Sequence, residues 1–170
     1  RALSIFKQIC EGLEAAHKRG IVHRDLKPAN VIVTKQDDGS EHVRLVDFGI
    51  AKMLKQDGRQ QQQLTKTGEV FGSPIYMSPE QCLGKEIDAR SDIYALGCLM
   101  YETLSGEPPF LGNGFLETMN MHVGDKAKPL TEVVPDANLP VELVDVINRC
   151  MEKDPDLRFQ NVGEVRDTLV

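Results

Sequence analysis

His23-Arg24-Asp25-Leu26-Lys27-Pro28-Ala29-Asn30, with Asp47-Phe48-Gly49 further along, is the stretch on which the reading of this chain turns. Each motif stands beside a short apolar run rich in β-branched residues. Val31-Ile32-Val33 continues directly from Asn30, and Val43-Arg44-Leu45-Val46 leads directly into Asp47. Between the runs lies Asp37-Asp38-Gly39-Ser40, whose residue types favour a turn, so the pattern predicts two short strands joined there. A lone Asp-Phe-Gly is more often a turn than a site, and a lone His-Arg-Asp says little more. The information lies in the unbroken run from His23 to Asn30 together with the second aspartate.

Working outward, the upstream side is helical. Leu3, Phe6, Ile9, Cys10, Leu13 and Ala16 recur at helical spacing, and Lys18-Arg19-Gly20 makes a basic last turn with a glycine stop. Downstream, from Gly49 to about Gly72, periodicity vanishes in a polar stretch that includes Gln60 to Gln63; its length suits either disorder or function. After Ser78-Pro79-Glu80 helices return. Ser91 is placed to cap a helix running to about Leu104, ended by Gly106. Leu116 to Val123 predicts a shorter helix, Val141 to Met151 an amphipathic one, and Val162 to Leu169 another. Loops run through Pro108-Pro109 and Pro135 to Pro140. No internal repeat interrupts this order. The expectation is an α+β chain, mostly helix with one small hairpin.

Composition bounds the rest. With 170 residues, 41% hydrophobic and 27% charged, the chain can build one core and fits a single domain. A formal charge of −6 argues against broad binding to nucleic acid or to a membrane surface, either of which wants a basic excess. The longest apolar candidate, Ile93 to Leu104, is broken by Gly97 and Glu102 and reads as a buried helix, too short for a membrane span. The 4 cysteines, Cys10, Cys82, Cys98 and Cys150, form no close pairs. Three of them fall in apolar helical patterns, so free core thiols are expected, with a reducing, cytoplasmic compartment. A membrane anchor elsewhere in a longer chain is compatible with this. The chain opens at Arg1 in mid-helix, without Met or signal peptide, and is read as a piece of a longer protein.

The run 23–30 with Asp47-Phe48-Gly49 resembles the catalytic loop and magnesium-binding motif of eukaryotic-type (Hanks-type) serine/threonine protein kinases. Tyr76-Met77-Ser78-Pro79-Glu80-Gln81 looks most like bacterial members. The resemblance implies a protein-kinase-like C-terminal lobe over residues 1–170, with a catalytic loop at 23–30, an activation segment at 47–80 and the hairpin at the active-site cleft. It implies transfer of the ATP γ-phosphate to Ser or Thr hydroxyls of protein substrates, with ATP and Mg2+ as cofactors. Such a reaction must bring a hydroxyl in line with a phosphorus while crowded negative charge is neutralised.

Residue by residue, Asp25 matches the catalytic base and Lys27 the lysine that steadies the γ-phosphate, a feature of Ser/Thr rather than Tyr kinases. Asn30 and Asp47 match the magnesium ligands, oxygen donors of the kind a hard cation wants. Ile32 matches an apolar residue against the adenine ring, or alternatively is core. Asp92 matches a buried helix aspartate that holds the loop backbone. Arg158 matches the arginine that pairs with Glu80. Arg24 and Lys52 match a basic pocket for an activation-segment phosphate, for which Thr65 and Thr67 are the candidates, with Glu69 able to fill the pocket unmodified. Ser73 matches a hydroxyl that bonds to Asp25 and Lys27, where the family more often has Thr. Ile50, a stiff β-branched residue beside the acceptor's entry, implies a preference for Thr. His23 matches a scaffold histidine near Phe48. His17, His42 and His122 carry no motif and read as surface or helix-packing residues.

The sequence contains no Gly-x-Gly-x-x-Gly loop and no strand lysine with a partner glutamate. The N-terminal lobe is therefore expected outside these residues. Two other readings compete. One is a non-catalytic kinase-lobe binding module. The other is a small-molecule phosphotransferase on a related fold, which shares the Asp-to-Asn spacing but usually lacks Lys27, the Ser-Pro-Glu segment and the Arg158 partner.

Overall fold

In the computed structural model, residues 1–48 and 74–169 are described. Strands β1 (Val31–Lys35) and β2 (Glu41–Leu45) pair antiparallel, with Val31 opposite Leu45 and Lys35 opposite Glu41. The turn between them is built by Asp38, whose carboxylate accepts from the Ser40 backbone at 2.9 Å and the Ser40 hydroxyl at 2.6 Å. An antiparallel pair brings the start of its first strand to the end of its second. Asn30 and Val46 therefore meet, and the Val46 N–H donates to the Asn30 carbonyl at 3.0 Å. The two sequence motifs converge because a hairpin joins them.

Helix α1 (Ala2–His17) buries Phe6, Ile9, Cys10, Leu13 and Ala16 along one stripe, the face its periodicity required. After the loop and the hairpin come α2 (Pro79–Cys82) and the central helix α3 (Ala89–Ser105). Every residue of α3 from Ser91 to Tyr101 is buried, as a helix apolar on most sides must be. Its cap differs from expectation. Asp88 is the N-cap and accepts from the Arg90 N–H at 2.8 Å, while Ser91 lies inside the first turn and donates to Glu80 at 2.6 Å. Both are capping residue types; the buried carboxylate of Glu80 claimed the Ser91 hydroxyl and left the cap to Asp88. The other end is as predicted, with Gly106 at φ +81, a left-handed conformation that costs glycine little.

Around α3 stand α4 (Phe115–Gly124), α5 (Leu130–Val133), α6 (Val141–Cys150) and α7 (Val162–Thr168). Helix α7 is capped by Asn161, which accepts from the Glu164 N–H at 3.0 Å, and packs on α1. Helix α6 lays Leu143, Val146, Ile147 and Cys150 against α3. The approach is close at Gly97, where an added Cβ would come within 2.8 Å of both Cys150 Cβ and Met151 Cγ. The main helix ends agree with the sequence reading to within a residue or two. The one-turn helices α2 and α5 are too short to show a hydrophobic period.

Cys10, Cys98 and Cys150 are free and buried, and burial pushes the Cys10 thiol up to about 12, so these are packing residues. Among the described residues no helix is long and apolar enough to cross a membrane.

Candidate active site

The loop between α1 and β1 carries the chemistry-bearing residues, and its backbone is held from the core. Asp92, in the first turn of α3, is 1% exposed. Its carboxylate accepts from the His23 N–H at 2.7 Å and the Arg24 N–H at 2.8 Å. The ring Nε2 of His17, the last residue of α1, reaches the same carboxylate at 2.7 Å. A buried carboxylate needs such donors to offset its lost hydration. His23 turns its ring inward, 4.5 Å from the ring of Phe48, and its Nε2 donates to the Val46 carbonyl at 3.1 Å. The loop is thus tied to α3 through Asp92 and to the residues after β2 through His23.

Two non-glycine residues here adopt the left-handed region, Arg24 at φ +64 and Asp47 at φ +55. Each such residue costs about 1–2 kcal/mol and persists only where its surroundings over-determine it. They flank the place where the two motifs meet.

Asp25 is partly exposed, and the Lys27 ammonium lies 2.9 Å from its Oδ2. The Asn30 side-chain amide donates to the Asp25 carbonyl at 2.8 Å and approaches Asp25 Oδ2 at 3.5 Å. Asp25, Lys27 and Asn30 therefore form one cluster at the mouth of the hairpin. Asp47 is exposed, one residue beyond the Val46–Asn30 backbone bond. Ile32 is 44% exposed on β1 and is not core, so its apolar side chain is offered outward.

A second cluster anchors α2. Ser78 caps that helix in a reciprocal box: its hydroxyl accepts from the Gln81 N–H, and the Gln81 side-chain oxygen accepts from the Ser78 N–H at 2.9 Å. Glu80 meets Arg158 through two hydrogen bonds of 2.8 and 2.9 Å, with Arg158 0% and Glu80 6% exposed. Burial alone would raise the Glu80 carboxyl, but the hydrogen bonds from Arg158 and Ser91 outweigh it and hold it below its ordinary value. Tyr76 joins this region to α3 by donating to Glu102.

Several expected site residues lie outside the described residues: Ile50, Lys52, Thr65, Thr67, Glu69 and Ser73. Among the histidines, His42 is exposed. His122 is buried between Tyr94 and Phe110, where burial and the charge of Lys153 push it down to about 4. It packs and stays neutral. His17 had no signal of its own in the sequence, because its partner Asp92 lies far along the chain. Gln81 likewise had a place in a motif but no role. Its side-chain nitrogen donates to the Arg24 carbonyl at 3.0 Å.

Residues 1–167 match the protein kinase domain family. Serine/threonine-protein kinase PknB of Mycolicibacterium smegmatis is 39% identical over 170 residues, which is 100% of this chain and 26% of that protein. Serine/threonine-protein kinase pkn2 of Myxococcus xanthus is 41% identical over 169 residues, covering 99% of this chain and 20% of its own length. The solved kinase domain of Mycobacterium tuberculosis PknI, a C20A_R136A double mutant, superposes with a TM-score of 0.69 at 29% identity. The match covers 99% of this chain and 53% of that one. The chain thus spans a fifth to a quarter of the length of these curated relatives and about half of the solved kinase domain.

Proposed function

The chain belongs to the protein kinase domain family, and on that premise we propose that it is the C-terminal lobe of a serine/threonine protein kinase that transfers the ATP γ-phosphate to protein hydroxyls. The observation that carries this is the Asp25 cluster. A carboxylate, an ammonium 2.9 Å away and an amide from Asn30 are gathered on a loop whose backbone Asp92 holds.

In the reaction, the acceptor oxygen forms a bond to the γ-phosphorus as the bond from that phosphorus to the β–γ bridging oxygen breaks. ADP leaves, and the hydroxyl proton passes to Asp25. The carboxylate first orients the hydroxyl by accepting its hydrogen bond, which fixes the line of attack. Lys27, already beside Asp25, balances charge on the transferring phosphoryl group.

The donor set fits a hard cation. Asp47 is exposed at the cleft, and Asn30, with its amide nitrogen turned to Asp25, has its oxygen to offer. Two protein ligands suit Mg2+, which takes one or two and completes its shell with phosphates and water. When bound there, the ion supplies positive charge against the phosphates.

The glycine-rich loop and the ATP-binding lysine would then lie in an N-terminal lobe outside these residues, so the 170-residue chain alone should transfer phosphate poorly. The test is radiolabelled ATP given to the full-length protein with a Ser/Thr protein substrate. Asp25→Asn should lower transfer by roughly 100-fold or more while nucleotide binding persists. Transfer at an undiminished rate in that variant would refute the assignment.

A further inference from the structure

We propose that Gln81 is a positioning residue that fixes the Arg24–Asp25 peptide, and so places Asp25 for the reaction. The inference rests on the phosphotransfer reading. It starts from Arg24, whose φ of +64 is a conformation that L side chains rarely adopt. Such a residue relaxes unless it is held. Its N–H is taken by Asp92 at 2.8 Å, and its carbonyl accepts from the Gln81 side-chain nitrogen at 3.0 Å. The two bonds lie on either side of the strained Cα. The Arg24 carbonyl also belongs to the same planar unit as the Asp25 N–H, so its direction sets where Asp25 begins.

The other end of the Gln81 side chain is fixed as firmly. Its oxygen accepts from the Ser78 N–H at 2.9 Å and the Ser78 hydroxyl at 3.2 Å. Ser78 is buried at the start of α2, next to the Glu80–Arg158 anchor. An amide presents an acceptor on one side and donors on the other, and here the acceptor faces donors while the nitrogen faces a carbonyl. The residue type carries the argument. A capping box is made equally well by Glu or Gln. Only Gln can also donate to Arg24. The capping role alone leaves the amide unexplained; a bridge from the end of the activation segment to the loop beside the base accounts for it.

The test uses three variants of the full-length protein beside wild type. Gln81→Glu keeps the capping acceptor and loses the donor to Arg24. Gln81→Met loses the donor and the acceptor without adding charge. Asp25→Asn reports on the kinase reading itself. We expect kcat to fall roughly tenfold in both Gln81 variants with KM for ATP within about twofold of wild type, because the lost contact aligns the reacting groups. The melting temperature should fall in both, in Gln81→Met because the cap is lost and in Gln81→Glu because a carboxylate oxygen then faces the Arg24 carbonyl. Wild-type kcat in Gln81→Glu, with wild type active and Asp25→Asn inactive, overturns the positioning role and leaves the kinase reading standing. If Gln81→Met fails to fold, Gln81→Glu decides. If wild type transfers no more phosphate than Asp25→Asn, both readings fall together.

Discussion

Arg158 is the largest fully buried side chain among the described residues, and its replacement tests how the lobe is held together. All its N–H groups are spoken for. Nη1 and Nη2 donate to Glu80 at 2.8 and 2.9 Å, and they also reach the carbonyls of Arg90 at 2.9 Å and Lys153 at 3.1 Å. Nε donates to the Glu152 carbonyl at 2.7 Å, and the guanidinium carbon lies 4.9 Å from the Tyr94 ring centroid. Glu80→Gln removes the partner charge and turns an NH2 toward a donor, leaving a buried guanidinium uncompensated. Removing one member of a buried pair costs about 3–5 kcal/mol, against a total stability of roughly 5–15 kcal/mol. For a domain of this size that is a fall of roughly 10 °C in melting temperature. Arg158→Leu should cost as much, while the double variant Glu80→Met with Arg158→Leu should cost less than the sum. The pH dependence has a definite sign. Because Glu80 is held below its ordinary value, its contribution is complete above the unfolded pKa of about 4.3 and fades as pH falls toward the folded one. The gap between wild type and Glu80→Gln should therefore be constant near neutrality and shrink in acid. Urea unfolding of the full-length kinase domain measures all of this. A single-variant cost below about 1 kcal/mol, the worth of a surface pair, would refute the reasoning.

Gly97→Ala should destabilise by roughly 1–3 kcal/mol despite the helix-favouring change, because the new Cβ lands 2.8 Å from Cys150 Cβ. A gain in stability on urea unfolding would contradict that close approach. Thr65→Ala combined with Thr67→Ala in the full-length protein should lower activity several-fold and remove a phosphate detected by mass spectrometry; unchanged rates would shift the role to Glu69 or to none. Matched peptides differing only in Ser or Thr should show a Thr preference that Ile50→Phe moves toward Ser, and equal rates on both, unmoved by the substitution, would remove Ile50 as the determinant.

Much of the fold was legible because its signals are local. The hairpin follows from two β-branched runs around Asp37 to Ser40, and α1 from six apolar positions at one spacing. What failed locally failed for tertiary reasons. Ser91 and Asp88 are both capping residues, and only the position of Glu80 decides which one caps. The pairing of Glu80 with Arg158 follows from family resemblance and from no local pattern. Among 20 basic and 26 acidic residues, no spacing rule joins two so far apart.

The same division runs through the site. Asp25, Lys27 and Asn30 are legible because chemistry needs particular side chains, and these stand within a few residues of one another. The groups that hold them leave no local pattern: Asp92 is reached only through family resemblance and Gln81 not at all, and the reason lies in what they hold. Asp92 takes the N–H of His23 and of Arg24, Gln81 takes the carbonyl of Arg24, and Asn30 takes the carbonyl of Asp25. Four hydrogen bonds from three residues therefore hold the loop by main-chain atoms, which carry no residue-type signal. Holding the loop by its backbone leaves its side chains to the proposed phosphoryl transfer. It also means that a support imposes no residue type at the position it grips, so Gln81 emerges only once the chain is folded, as does His17, which reaches the loop through Asp92.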